Sequence, residues 1–333
     1  MIDWLKEPLT RNIGDLDDPA TTMLHAEIVR SKPFLKSRAV KQLEAEGVEL
    51  AVSLPVGALS ALVSRADLRN HRKIVVIDGA IAYTGSQNLV DPRIFKQDEG
   101  VGQWIDAMVR IEGPAVEAIA GTFSQDWEVV TGVGYKYFKS NMDLKQLDEK
   151  GSVALQLVPS GPQPKPLAIL QLVLSTIYSA QRELIVTTPY FIPDDSVLTA
   201  LVSAAHRGVA VTLIIPAKND SRLAEYASRA VFDDLLAAGV RIARFRGGLL
   251  HTKSITVDSE YCLFGSLNLD MRSLWLNFEI SLFIYNRDMT SHIRDMQLGY
   301  LGEADVIVAS ECRKRPWLKR FFENAVHLLA PLL

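Results

Sequence analysis

The sequence predicts an α/β protein built from two related halves, the first shorter than the second. A motif that occurs twice is the first sign. One copy reads His71-Arg72-Lys73-Ile74-Val75-Val76-Ile77-Asp78 with Gly85-Ser86-Gln87-Asn88 behind it. The other reads His251-Thr252-Lys253-Ser254-Ile255-Thr256-Val257-Asp258 with Gly265-Ser266-Leu267-Asn268. His and Gly are 14 residues apart in both copies, and the copies lie 180 positions apart, as a duplicated domain requires. Second, beyond Val153 short apolar runs alternate with stretches of helical period, the pattern of an α/β layer structure. Third, 98 positions separate Val153 from His251 but only 70 residues precede His71, so the first half repeats only the end of the plan.

In the second half, Val153–Val158 reads as a strand and 167–181 as a helix. Leu184–Thr188 is a β-branched run stopped by Pro189. Asp194, Asp195 and Ser196 supply capping groups for a helix that Gly208 closes. Val209–Ile215 is a buried strand. Asp220-Ser221 opens a helix that runs to about Ala238, Gly239 stops it, and Val240–Phe245 is the strand before the second motif. In the first half, a helix near Ser37–Glu46, Gly47 and a strand Val48–Leu54 occupy the matching places before His71. Residues 1–31 show no period and stay unassigned. The expected domains are therefore 32–140 (incomplete) and 151–312, with a polar linker near Asn141–Gly151. The tail 313–333 reads as a helix with a basic start (Arg313-Lys314-Arg315) and one apolar face. It suits either a membrane interface or docking on the fold.

The 333 residues, 48% hydrophobic and 23% charged, describe a folded chain large enough for two domains. A net charge of −3 gives no global basic field, so no nucleic-acid partner is expected. Cys262 and Cys312 form no zinc-ligand cluster or disulfide framework, and Cys262 sits in a core-like run. No run reaches the roughly 18–20 apolar residues of a membrane span. The acidic N-terminus does not read as a signal peptide.

The motifs specify phosphoryl chemistry. Side chains at i and i+2 of a strand share a face, so His71 lies with Lys73 and His251 with Lys253. Imidazole titrates near neutrality and can act as nucleophile or proton carrier, and the adjacent ammonium can balance the oxygens of a phosphate diester. Asp78 and Asp258, at an odd offset and beside turn residues, complete the motifs in a supporting role rather than in proton transfer. Ser86, Asn88, Ser266 and Asn268 are expected to bind phosphate. Alignment of the halves pairs Asp106 with Glu279, two acids in apolar strands, each expected to hold the distal nitrogen of its own half's histidine.

These duplicated motifs resemble those of the phospholipase D superfamily. The flanking text is similar to bacterial cardiolipin synthases: Asn70-His71-Arg72-Lys73, Phe95-Lys96-Gln97-Asp98, Gly102-Gln103-Trp104-Ile105-Asp106, Thr188-Pro189-Tyr190-Phe191, Asn268-Leu269-Asp270-Met271-Arg272-Ser273 and the closing Pro331-Leu332-Leu333. The resemblance covers roughly residues 32–333. It implies two pseudo-twofold-related α/β/α sandwich domains, the first N-terminally truncated, and transfer of a phosphatidyl group between two phosphatidylglycerol molecules to give cardiolipin and glycerol. It implies a phosphohistidine on His71 with His251 as general acid and base, no metal or nucleotide, and a cleft lined by Tyr190. Members usually carry N-terminal hydrophobic helices, and with no such run in this sequence the expected attachment to the anionic cytoplasmic membrane is peripheral. Hydrolysis by a phosphodiesterase, or an inactive homologue that only binds membrane, remain the alternative readings.

Overall fold

The structure is a computed structural model that describes residues 22–25, 38–46, 48–53, 68–91, 99–134, 147–162 and 167–330. The expectations that fall on Phe95–Asp98, most of the linker and Pro331–Leu333 lie outside these residues.

The first half holds β1 (Thr22–His25), α1 (Arg38–Ala45), β2 (Ile74–Ile77), β3 (Ile81–Gly85), β4 (Trp104–Ile105), β5 (Met108–Glu112) and α2 (Ala115–Thr131). β1, β2, β3 and β5 form an antiparallel sheet in that order. Asp78 and Gly79, both at positive φ, make the β2–β3 turn, a conformation that Asp-Gly enters readily. α2 lays Val116, Ile119, Ala120 and Phe123 on one side, spaced at the helical period, and ends at Gly132 with φ +74°.

The second half follows the order β6 (Leu155–Ser160), α3 (Leu167–Ser179), β7 (Glu183–Thr187), β8 (Phe191–Ile192), α4 (Asp195–His206), β9 (Ala210–Pro216), α5 (Arg222–Ala230), α6 (Phe232–Ala237), β10 (Arg241–Phe245), β11 (Leu249–Leu250), β12 (Ser254–Val257), β13 (Tyr261–Gly265), β14 (Leu269–Asp270), α7 (Met271–Trp275), β15 (Glu279–Ile284), α8 (Arg287–Gly302), β16 (Ala304–Val306), α9 (Ala309–Arg313) and α10 (Trp317–His327). Its eight-stranded sheet runs β16-β10-β9-β7-β12-β13-β15-β6, parallel only across β10-β9-β7. β7 and β9 are mainly apolar and buried, as strands of a helix-covered sheet are, while β10 keeps Arg241 and Arg244 between its buried residues. Asp194 caps α4 by accepting the Ser196 N–H, and Ser221 caps α5 through the Ala224 N–H. The long helix expected to Ala238 breaks at Val231 into α5 and α6.

Two first-half expectations change. Residues 22–25 form β1, antiparallel on β2, the arrangement that β7 adopts on β12. Four residues between unpatterned neighbours are too few to show a period. Conversely, the alternation over Val48–Leu54 makes no strand at 48–53; Val48, Leu50 and Val52 are exposed there, and no described strand pairs with them. The mixed α/β architecture itself agrees with the sequence.

One core joins the halves. Ile74, Val76, Val109 and Ile111 of the first sheet cluster with Phe264, Ile280, Leu282 and Ile284 of the second. Full burial of each such side chain contributes about 1.5–3 kcal/mol.

Candidate active site

His71-Arg72-Lys73 runs directly into β2, and His251-Thr252-Lys253 directly into β12. What locates the two triplets is pairing between the halves. β11, just before His251, lies parallel to β4, just before Asp106. Asn70, just before His71, forms a parallel bridge with Phe278, just before Glu279. The His251 N–H donates to the Ile105 carbonyl and the His71 N–H to the Phe278 carbonyl, each at 2.8 Å. Gly248 permits the first approach, since a Cβ there would stand 2.2 Å from the Gln103 carbonyl oxygen.

This cross-pairing fixes which acid meets which histidine, and it corrects the expected assignment. The carboxylate of Glu279 takes Nδ1 of His71 (2.9 and 2.8 Å to its two oxygens), and Asp106 takes Nδ1 of His251 at 2.6 Å. Each acid serves the histidine of the other half. Alignment of the halves reveals that the acids are equivalent; only the packing of one half on the other reveals whose histidine each one reaches.

Glu279 is fully buried and Asp106 largely so, each beside lysine. Burial opposes ionisation of Asp106, but the charge and hydrogen bond of His251, with Lys253 behind, hold it at about 2. For Glu279 burial again opposes, and His71 and Lys73 outweigh it, so its carboxyl lies below the usual range. His251 is lowered to about 4 by burial and then by the Lys253 charge, against the pull of Asp106. At neutral pH the His251 pair is therefore a carboxylate and a neutral imidazole. A carboxylate can only accept, so Nδ1 carries the proton and Nε2 keeps its lone pair. Burial lowers Lys253 to about 7, against the pull of Asp106 and with Lys73 reinforcing the shift. The charge of Lys73 also acts on His251, so the two motifs share one electrostatic field.

Lys73 Nζ donates to the His71 carbonyl (2.7 Å) and Lys253 Nζ to the His251 carbonyl (2.6 Å). The serines are not aimed at a phosphate. Ser86 Oγ donates to Asp106 (2.7 Å) and accepts the Ala107 N–H, while Ser266 Oγ donates to Glu279 (2.5 Å) and accepts the Ile280 N–H. They fix the acids. Gly85 and Gly265 allow that contact, because a Cβ at either would stand within 2.3 Å of a carbonyl oxygen on the acid-bearing segment. The side-chain oxygens of Asn88 and Asn268 are buried and meet no hydrogen-bond partner among the described residues. Asp258 lies outside the cluster at the far end of β12, where its carboxylate accepts the N–H groups of Gln181, Arg182 and Glu183. Asp78 occupies the matching turn on β2. Both stand at the turn that ends the strand following their histidine triplet. Tyr190 donates to Asp220 at 2.7 Å.

Three contacts escape sequence reasoning. Trp104 packs on the His251 ring at 4.6 Å between centroids. Asn277 donates to Glu279 at 3.2 Å. Each stands two residues before its half's acid, and that common spacing is the available signal. Arg72, from inside the first motif, binds Asp126 (2.5 Å), the Glu279 carbonyl and the Ser160 carbonyl, and its guanidinium lies 5.3 Å from the Phe278 ring centre. Among the described residues no group of His, Cys, Asp and Glu could hold a metal ion.

Residues 173–297 match the family model described as "Cardiolipin synthase, PLD-like domain". The chain is 44% identical over 303 residues to cardiolipin synthase A of Pectobacterium atrosepticum, which covers 91% of this chain and 62% of that protein. The corresponding enzyme of Klebsiella pneumoniae is 45% identical with the same coverage. The phosphatidylserine synthase structure from Haemophilus influenzae superposes with a TM-score of 0.59 at 16% identity, covering 81% of this chain and 72% of that one. In its matched segment, its paired motifs and its relatives the chain is similar to the phospholipase D superfamily. Within it, the sequence is similar to the bacterial cardiolipin synthases, and it spans 62% of the length of those relatives.

Proposed function

We propose that this chain carries the phosphatidyl-transfer centre of a cardiolipin synthase, joining two phosphatidylglycerol molecules into cardiolipin and releasing glycerol. The observation that carries the reading is the crossed pair of acid–histidine contacts, each beside a lysine and largely shielded from solvent. Each contact holds Nδ1 and leaves Nε2 as the reactive atom.

In the first step Nε2 of one histidine, His71 by family resemblance, attacks phosphorus. The P–O bond to the headgroup breaks, and the departing glycerol takes a proton from the second histidine, His251. The neutral resting state of His251 suits the second step, in which it accepts the proton of an incoming phosphatidylglycerol hydroxyl as that oxygen attacks and the N–P bond breaks. Protonation for the first step draws on the anionic diester, whose charge favours imidazolium. Lys73 and Lys253 balance the phosphate oxygens, and the side-chain N–H groups of Asn88 and Asn268 are the further donors proposed for the same ligand. No step calls for a metal or nucleotide.

Among the described residues no helix is long and apolar enough to cross a membrane. Phosphatidylglycerol lies in a bilayer, so this part of the chain meets it at the membrane surface.

Turnover on phosphatidylglycerol vesicles tests the reading. Glycerol and cardiolipin should appear together, and His71→Ala and His251→Ala should each lower the rate by about 10³-fold or more. Phosphatidic acid in place of cardiolipin would make the chain a hydrolase, and near-normal turnover in either variant would overturn the two-histidine mechanism.

A further inference from the structure

The last helix, α10, is amphipathic in an unusual sense: its docked face is narrow and its outer face is aromatic. Val326, together with Ala330 just beyond the helix, closes a small cluster with Ala224, Ala227 and Ile192, flanked by Tyr190, Tyr226 and Met271. Glu323, the helix's one acid, is buried there and bound by Arg315 at 2.6 Å. Trp317, Leu318, Phe321, Phe322 and Ala325 fall within about 140° on the opposite side at 100° per residue. The structure leaves them in solvent, with Trp317 73% and Phe321 67% exposed; Leu328, at 82%, continues the face beyond the helix.

A contiguous aromatic and aliphatic surface of this kind is uncommon on a protein that meets only water. Its charges say what covers it. Lys314, Lys319 and Arg320 are exposed, and with Glu323 buried no acidic side chain from 314 to 330 reaches solvent. Basic groups beside Trp, Phe and Leu complement an anionic lipid surface, where the rings settle at headgroup level and the cations meet phosphate. A second copy of the same face would instead set these cations against one another. The location also fits. Met271, in the cluster beneath the helix, follows Asp270 on the segment that leads from Asn268, so the patch adjoins the candidate site.

We infer that α10 and Leu328 form an interfacial anchor that inserts Trp317, Leu318, Phe321 and Leu328 into an anionic bilayer and seats the phosphoryl-transfer site against it. The inference rests on the lipid reading of the site, but its test does not require turnover.

The full chain is mixed with phosphatidylserine–phosphatidylcholine vesicles, which offer anionic charge without the proposed substrate, and with pure phosphatidylcholine vesicles as control. Binding to the anionic vesicles is expected, with a blue shift of tryptophan emission and quenching by brominated acyl chains; both signals should vanish in Trp317→Phe. Leu318→Ser/Phe321→Ser, two exposed changes checked for native circular dichroism, should weaken binding at least about tenfold, and Lys314→Glu/Lys319→Glu should also weaken it while removing most of the loss of binding that added salt causes in the wild type. On short-chain phosphatidylglycerol dissolved as monomers, the double serine variant should turn over at the wild-type rate, whereas on vesicles its rate should fall about tenfold. Vesicle binding within twofold of wild type in that variant, or unquenched Trp317, would overturn the anchor. So would a wild-type dimer in lipid-free sedimentation that the serine changes split, since a second copy would then be the occupant. Absence of turnover with every substrate, alongside normal vesicle binding, would count against the catalytic reading and leave the anchor standing.

Discussion

Around His71 the second half supplies a glutamate, around His251 the first half supplies an aspartate, and the rest of the two surroundings differ more than the motifs do. Glu279 is fully buried, offers both oxygens to His71, and is steadied by Ser266 and Asn277. Asp106 is shorter, uses one oxygen, and leans on Ser86. His251 is roofed by Trp104, and its side chain is only 3% exposed, against 11% for His71. Arg72, next to His71, is a buried tie to α2, β15 and β6, whereas among the described residues Thr252, next to His251, bonds the Ile105 carbonyl and Tyr300. A duplicated motif thus carries two environments: a more open imidazole on a heavily braced loop, and a closed one under an indole. That division is what the proposed mechanism calls for, with one histidine attacking phosphorus and the other handling protons.

The largest effect expected from breaking this arrangement is at the acids. Glu279→Gln and Asp106→Asn keep shape but lose the ionised acceptor that fixes the Nδ1–H tautomer. Each should lower turnover by about 10²- to 10⁴-fold with little change in the concentration for half-maximal rate. An effect below tenfold in either would show that its histidine orients without it.

The brace comes next. Arg72→Met takes this cation from the half-buried Asp126, which keeps its bond from Asn70, and should cost about 2 kcal/mol in a denaturant titration. A double-mutant cycle with Asp126→Leu should recover part of that loss, and turnover should fall with the single change because the loop carrying His71 loosens.

Acid titration separates the two sides further. Folding holds His251 at about 4, below the ordinary 6.5 of an unfolded chain, so the unfolded state binds the extra proton between those values. Stability should therefore fall as pH drops from about 6.5 to 4, with on the order of 3 kcal/mol from this one group. Asp106, held at about 2, adds a further loss only below about pH 4, where the unfolded carboxyl protonates first. His251→Gln should flatten the denaturation midpoint between pH 6.5 and 4; an unchanged slope would show that this imidazole is not held neutral.

The smallest effect is expected at Asp258. Its three backbone N–H contacts lie at an exposed strand end, so Asp258→Asn should lower stability by about 1 kcal/mol and leave turnover unchanged.

What the sequence makes legible follows from distance along the chain. The two histidine motifs, the i, i+2 lysines and the turn character of Asp78-Gly79 are local patterns, readable from spacing alone. The equivalence of Asp106 and Glu279 comes from comparing one half with the other. Their exchange of histidines does not, because it depends on β4 lying on β11 and Phe278 on Asn70, contacts between residues more than 100 positions apart. The serines depart from expectation for the same reason. Ser86 and Ser266 point from the end of one strand to an acid at the start of another, and only the close approach permitted by Gly85 and Gly265 reveals it. β1 is too short to announce itself, and the alternation at Val48–Val52 announces a strand that none of the described strands completes.

The exchange of acids is the central claim, and trapping the covalent intermediate tests it most directly. Quenched reactions with phosphatidylglycerol, digested and read by mass spectrometry for phosphorus on histidine, should sort the variants into two pairs. Asp106→Asn should behave as His251→Ala does and Glu279→Gln as His71→Ala does, one pair accumulating the adduct and the other failing to form it. If Asp106→Asn instead sorts with His71→Ala, each acid serves the histidine of its own half, and the crossed site described above is wrong.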